Sequence, residues 1–312
     1  MLVVLSAALR FHSKPAAECA IRSAPRLQSK AKALAAELKN LDAKAIKKQL
    51  HVNDALAKQY SQALLNFEKQ EPVPAISLYD TPLYESFGCA HFDQDDADWA
   101  NQYVRIFSGL YGLIRPFDQI APLSLPVGLD TKLTTSKGKF LRDFWLENVR
   151  QELYDSVQRL PMPVIINLAQ EEDSVLLDRD ALPDGTRIVT VNFKTIDKSE
   201  TAPAKGEFVR WMLEERCMTV EELLQFKGIV EDGQDAMFRL VPGGANPDEL
   251  TFEENRGEGA AGGWSKKLSE HGGSKKAFIR EFARGKDRYK RTEINKSLAK
   301  EDKKKRTKST FY

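Results

Sequence analysis

The residues best placed for chemistry in this chain fall into three groups. The first is SGLYGLIRPFD, residues 108–118, where two glycines bracket a Leu-Tyr pair and an Arg-Pro precedes an acid. Glycine opens backbone conformations closed to other residues and lets a ligand or a second backbone come close. Pro116 bars helix at that point and pushes Arg115 toward an extended shape. A turn so specified aims Tyr111 and Arg115, and the N–H groups around Gly109 and Gly112 suit a phosphate, as in a helix-hairpin-helix. Arg115 has two readings, a phosphate grip and a structural ion pair with Asp118. Arg105, on the other flank of the turn, has the same two readings, a phosphate grip and a structural arginine, and the structural one, inside a helix, is the plainer. Tyr111 either stacks on a base or a sugar or packs against the neighbouring helix, and packing is the plainer reading.

The second group is Lys137 and Lys139, which bracket Gly138 just before a helical pattern, a position suited to an anion or to an ordinary solvated loop. The third is Asn167 and Glu172, at or just past the end of an apolar run that reads as a central strand, where α/β proteins build their sites. Glu172 would serve as a general acid or base if partly buried, and is otherwise a surface acid. The four histidines, His12, His51, His91 and His271, show no metal-ligand spacing. No phosphate-loop, dinucleotide-binding glycine or nucleophile-elbow pattern occurs. No cofactor and no metal is expected.

The elements that must position these groups follow from periodicity. Residues 2–6 read as a buried N-terminal strand, a better account than a signal peptide without a basic start. Leu34, Leu38, Leu41, Ile46, Leu50, Leu56, Leu64 and Leu65 mark a helical block broken by turns, with Asn53 as an N-cap, and this block covers one side of a sheet. Asp93 to Asp98 caps a helix read through Trp99, Tyr103 and Ile106 into the glycine turn. Leu141, Trp145, Val149, Leu153 and Val157 keep helical spacing. VIINLA from Val164 and the alternating VTVNF that ends at Phe193 read as strands. Residues 205–215 are amphipathic, and Thr219 with Glu222 fits a capping box. The expected class is α/β, a mixed central sheet covered by helices.

Composition bounds the rest. The chain has 312 residues, 42% hydrophobic and 29% charged, with apolar runs far too short to span a bilayer. Three scattered cysteines, Cys19, Cys89 and Cys217, suit a reducing compartment such as the cytoplasm. The net charge of +2 hides an asymmetry. Residues 275–308 hold 15 Lys and Arg against 5 Asp and Glu, which leaves the remainder of the chain at −8. Residues 243–273 hold 8 of the 18 glycines. The expected organisation is therefore a domain over 1–242, a flexible linker over 243–273 and a basic, partly helical tail over 274–312. The tail reads as a nucleic-acid contact, a nuclear import signal at Lys303 to Lys308, or a solvated extension.

Taken together, RIFSGLYGLIRPFD from Arg105, GKFLRDFW from Gly138, INLAQEE from Ile166 and the pattern Asn53-Asp54-x-Leu56-Ala57 resemble the YaaA family of peroxide-stress proteins. The resemblance runs from Met1 to about Leu240. It implies a compact α/β fold with a basic cleft, a helix-hairpin-helix-like element, nucleic-acid binding and a part in limiting hydrogen peroxide damage. The chain departs from the family at charged positions. The usual Ser-Pro-Ala-Lys-Thr-Leu opening is Ser6-Ala7-Ala8-Leu9-Arg10-Phe11, and Phe-Lys-Gly-Asp-Val-Tyr is Tyr79-Asp80-Thr81-Pro82-Leu83-Tyr84. Tyr-Arg-Leu-Glu-Met-Gly is Leu123-Ser124-Leu125-Pro126-Val127-Gly128, and the segment Lys-Lys-Ala-Arg-Gly keeps charge only at Lys205. By resemblance, Arg115, Lys137, Lys139 and Lys205 line a cleft for double-stranded or structured DNA, weakened by these losses. An enzyme acting on a nucleotide or small anion through Glu172 and Asn167, and a degenerate member working as an interaction module, are the competing readings.

Overall fold

The computed structural model describes residues 1–12, 21–125, 134–135, 138, 140–228, 236–242 and 246–255. Lys137, Lys139, residues 256–273 of the expected linker and the whole basic tail lie outside them.

A seven-stranded sheet organises the described residues. Its strands are β1 (Leu2–Ser6), β3 (Val104–Ser108), β4 (Gly112–Ile114), β6 (Val164–Asn167), β7 (Arg187–Lys194), β8 (Phe238–Leu240) and β9 (Glu249–Glu254), in the order β4-β3-β1-β6-β7-β9-β8. The five inner strands run parallel, and β4 and β8 are antiparallel edges. Two short strands, β2 (Val73–Pro74) and β5 (Gln119–Ile120), pair apart from it. β1 and β6 are buried at every residue, the continuous apolar run that a parallel strand covered on both faces requires. The mixed α/β reading holds.

The helical block forms as its caps direct. The helix Ala43–Leu50 is capped by Asp42 and the helix Asp54–Leu65 by Asn53, whose Oδ1 accepts from Leu56 N at 2.9 Å. Asp93 and Asp96 make a reciprocal capping box on the helix Gln94–Tyr103, as Thr219 and Glu222 do on Val220–Leu223.

Two expectations fail locally. The helix from Gln94 does not run through Ile106 but ends at Tyr103, and Val104 begins β3. Arg105 is therefore a strand residue. Valine, isoleucine and phenylalanine there pack better on a buried sheet beside β1 than on another helical turn. The linker expectation fails at 249–254, where β9 pairs parallel to β7. Leu250 and Phe252 alternate inward, and Phe252 meets Phe193 at 5.7 Å and Phe226 at 5.4 Å. The glycines of 243–273 cluster on either side of this strand, none falling between 245 and 256, so a regional count conceals it.

Candidate functional site

The glycine corner links β3 to β4 through residues 109–111. It is a strand hairpin followed by a turn, not a helix-hairpin-helix. Gly109 N donates to Leu125 O at 2.7 Å, and its carbonyl accepts from Trp145 Nε1 at 2.7 Å. Gly112 has φ +76°, and a Cβ there would stand 2.7 Å from the buried Trp145 ring. Tyr111 N donates to Ser108 Oγ, and the Tyr111 hydroxyl accepts from Ala121 N at 2.9 Å. Burial pushes that phenol up to about 12. The corner is built around Trp145.

Its two arginines are engaged internally. Arg105 Nη1 donates to the carbonyls of Asn101, Gln102 and Val104, closing the carboxyl end of the preceding helix. Burial lowers its pKa to about 10. Arg115 pairs with Asp118 at 2.9 Å and donates to Ala24 O. Asp118 is 1% exposed and also accepts from Ser23 Oγ and from Arg115 N. Of the two readings of Arg115, the geometry supplies the structural pair.

A second constellation stands where the strand order reverses. From β1 the chain passes to β3 on one side, then crosses to β6 on the other, so the carboxyl ends of β1 and β6 mark the reversal. Ligands of open α/β sheets bind at such points. Ser6 ends β1 and Asn167 ends β6. Asn167 Oδ1 accepts from Ala169 N, and its amide donates to Ser174 Oγ and Thr190 Oγ1. Asn167 thus shapes the loop after β6. The N–H of the Ala169–Gln170 peptide donates to Ser6 Oγ at 2.8 Å and its carbonyl accepts from Lys205 Nζ at 3.4 Å, which also donates to Leu168 O at 2.9 Å. Burial lowers the Lys205 pKa. Lys205 is thus held against the loop that follows Asn167, and Glu172 lies in the short helix Glu171–Ser174 beyond that loop.

Three features of this region escape a reading by motif. Asp173, not Glu172, is the buried acid. It is 4% exposed, and desolvation pushes its carboxyl up to about 6 against the pull of the Ser6 hydroxyl, with Glu172 adding a further push. Three acids run in sequence at 171–173, and no periodicity says which turns inward. The second feature is the loop after β1, whose carbonyls are held by distant partners. Ser6 O accepts from the Tyr84 hydroxyl, Ala8 O from Ser124 Oγ, Leu9 O from the Tyr60 hydroxyl and Arg10 O from Asp80 N. The third is Arg10, which pairs with Asp80 at 3.2 Å. The signal that does exist is positional: the end of the first strand of an α/β chain is a place to look for a site.

The family model of peroxide stress protein YaaA matches residues 1–230. A UPF0246 protein of Cereibacter sphaeroides (strain ATCC 17029 / ATH 2.4.9) is 32% identical over 239 residues, 73% of this chain and 91% of its own length. UPF0246 proteins of Caulobacter vibrioides (strain NA1000 / CB15N) and Maricaulis maris (strain MCS10) are 30% and 29% identical over 237 and 235 residues. These cover 73% and 72% of this chain, and 89% and 88% of the relatives. The fold is that of an α/β protein, and the family whose model matches is one of peroxide stress proteins. The chain belongs to the YaaA family, and its basic tail lies beyond the matched region. Among the described residues, no helix is long and apolar enough to cross a membrane.

Proposed function

We propose that this protein acts in tolerance of hydrogen peroxide and does so by binding DNA through phosphate contacts. Family membership supports the first half. Segregation of charge supports the second. Residues 22–69 hold 10 Lys and Arg against 4 Asp and Glu, whereas residues 70–100 hold 7 acids and no Lys or Arg. Within the basic block, Lys32, Lys39, Lys44 and Lys48 are exposed and make no ion pair among the described residues. Lys44 and Lys48 lie one turn apart on the helix whose Ile46 and Leu50 are buried. Cations so placed meet a polyanion without breaking an internal pair, which neither Arg105 nor Arg115 can do. Lys137, Lys139 and the 15 cations of 275–308 add to this charge from the sequence. Lys205, already bonded to two carbonyls, contributes field more than contact.

The test is duplex binding by the full chain across a salt series. Each phosphate neutralised contributes about −0.9 to the slope of log affinity against log salt. Replacing Lys44 and Lys48 together by alanine should flatten that slope by about 2 and weaken binding to all sequences alike. No affinity at about 50 mM salt, or an unchanged slope in the double variant, would remove this reading.

A further inference from the structure

The loop after β1 has its carbonyls turned inward by buried side chains, and that fixes where its N–H groups face. In a trans peptide the C=O and N–H point to opposite sides. The carbonyl of the Ala8–Leu9 peptide accepts from Ser124 Oγ, and the carbonyl of the Leu9–Arg10 peptide accepts from the Tyr60 hydroxyl at 2.8 Å. Ser124 is 1% exposed and Tyr60 is fully buried, so both carbonyls face the interior. The N–H groups of Leu9 and Arg10 are thereby turned away from it, and neither donates to any group among the described residues. Leu9 and Arg10 are exposed. The neighbouring peptide behaves differently. Ser6 O accepts from Tyr84, but the Ala7 N–H of the same peptide is taken by Phe107 O at 2.9 Å.

We propose that the Leu9 and Arg10 N–H groups, with the Arg10 guanidinium, form a seat for a phosphomonoester at the carboxyl end of β1. Two adjacent donors held from behind by hydroxyls need no reorganisation to receive an anion. The Arg10 side chain is 73% exposed and only its Nη2 is engaged, by Asp80 at 3.2 Å, so its remaining N–H groups can reach an anion while that pair stays in place. The position is the reversal point of the sheet, where phosphate-bearing ligands bind in this architecture. A free nucleotide and the 5′-phosphate of a DNA strand present the same group. This seat does not depend on the lysines of residues 22–69, so failure of duplex binding would leave the nucleotide arm standing.

The full chain is titrated calorimetrically with inorganic phosphate, a nucleoside 5′-monophosphate and the bare nucleoside, and a duplex with a 5′-phosphate is compared with its 5′-hydroxyl form. Phosphate and nucleotide should bind saturably and the bare nucleoside should not. Preference for the phosphorylated duplex identifies the DNA end as the source, and equal duplex binding identifies the free nucleotide. Tyr60→Phe and Ser124→Ala each release one peptide and should weaken phosphate binding about five- to tenfold. Arg10→Gln, on an exposed side chain that leaves the fold intact, should weaken it by a similar factor. Tyr84→Phe removes a hydroxyl of the same kind from a peptide whose N–H is internal, and should leave binding unchanged. No saturable binding up to about 10 mM, an unaffected Arg10→Gln, or an equal loss in Tyr84→Phe would overturn the proposal.

Discussion

The glycine corner and the loop after β1 lie at the ends of neighbouring strands and treat their polar groups in opposite ways. The corner carries residues that look functional, two glycines, a tyrosine and an arginine. Its donors are discharged inward, Gly109 to Leu125, Tyr111 to Ser108, Arg105 to three carbonyls and Arg115 to Asp118. The loop, Ser6-Ala7-Ala8-Leu9-Arg10, looks plain. Its carbonyls are held from within by residues 51 to 116 positions away, and two of its N–H groups are thereby presented outward. A rigid local motif is evidence first of packing. Preorganised polarity is assembled over long sequence separations, where no motif records it.

Variants can break or sharpen this contrast, and the largest effect is expected at Arg115. Arg115→Met would leave the Asp118 carboxylate buried without its cation, at a cost of about 3–5 kcal/mol. Urea unfolding should show that loss while the salt slope for duplex binding stays as in the wild type. A stable variant with a slope flatter by about 1 would instead make the corner a phosphate contact. Next is Gly112→Ala, which meets both a positive φ and the Trp145 ring. A loss of about 2–4 kcal/mol in thermal or urea unfolding is expected, and a change under about 0.5 kcal/mol would show that the corner tolerates repacking.

Asp173 gives a pH signature. Its carboxyl sits at about 6 in the folded chain against 3.8 unfolded. Between those values the folded state holds the proton that the unfolded state has released, so stability falls as pH rises through this window. Below 3.8 both states are protonated and the contribution vanishes; above 6 the penalty is complete, at most about 3 kcal/mol. Asp173→Asn should remove this component, gaining on the wild type as pH rises from 4 to 7. A wild-type–variant difference that does not vary with pH would place Asp173 in a solvated setting. The smallest effect is the Tyr84→Phe control, a hydrogen-bond loss of about 1 kcal/mol in stability with phosphate binding untouched.

Most of the fold can be read from the residues. The buried runs of β1 and β6, the alternation of β7 and the caps at Asn53, Asp93 and Thr219 are local signals, and the structure uses them as written. β3 and β9 escape because each borders a stronger signal, a capped helix in one case and scattered glycines in the other. The site is less legible. Asn167 does end β6, as its apolar run implies, but Lys205 meets the loop after it rather than Arg115, and Asp173, Tyr60, Tyr84 and Ser124 take their parts only through contacts that span the chain. The missing family lysines show why charge alone misleads: Arg10 stands beside one such position and Asp80 occupies the other, and the two form an ion pair.

The most direct test follows the backbone amide resonances of the full chain while inorganic phosphate is added. Leu9 and Arg10 should move in a saturable way, with Gly109, Tyr111 and Gly112 unmoved. Shifts confined to the glycine corner, with the loop after β1 silent, would contradict the account.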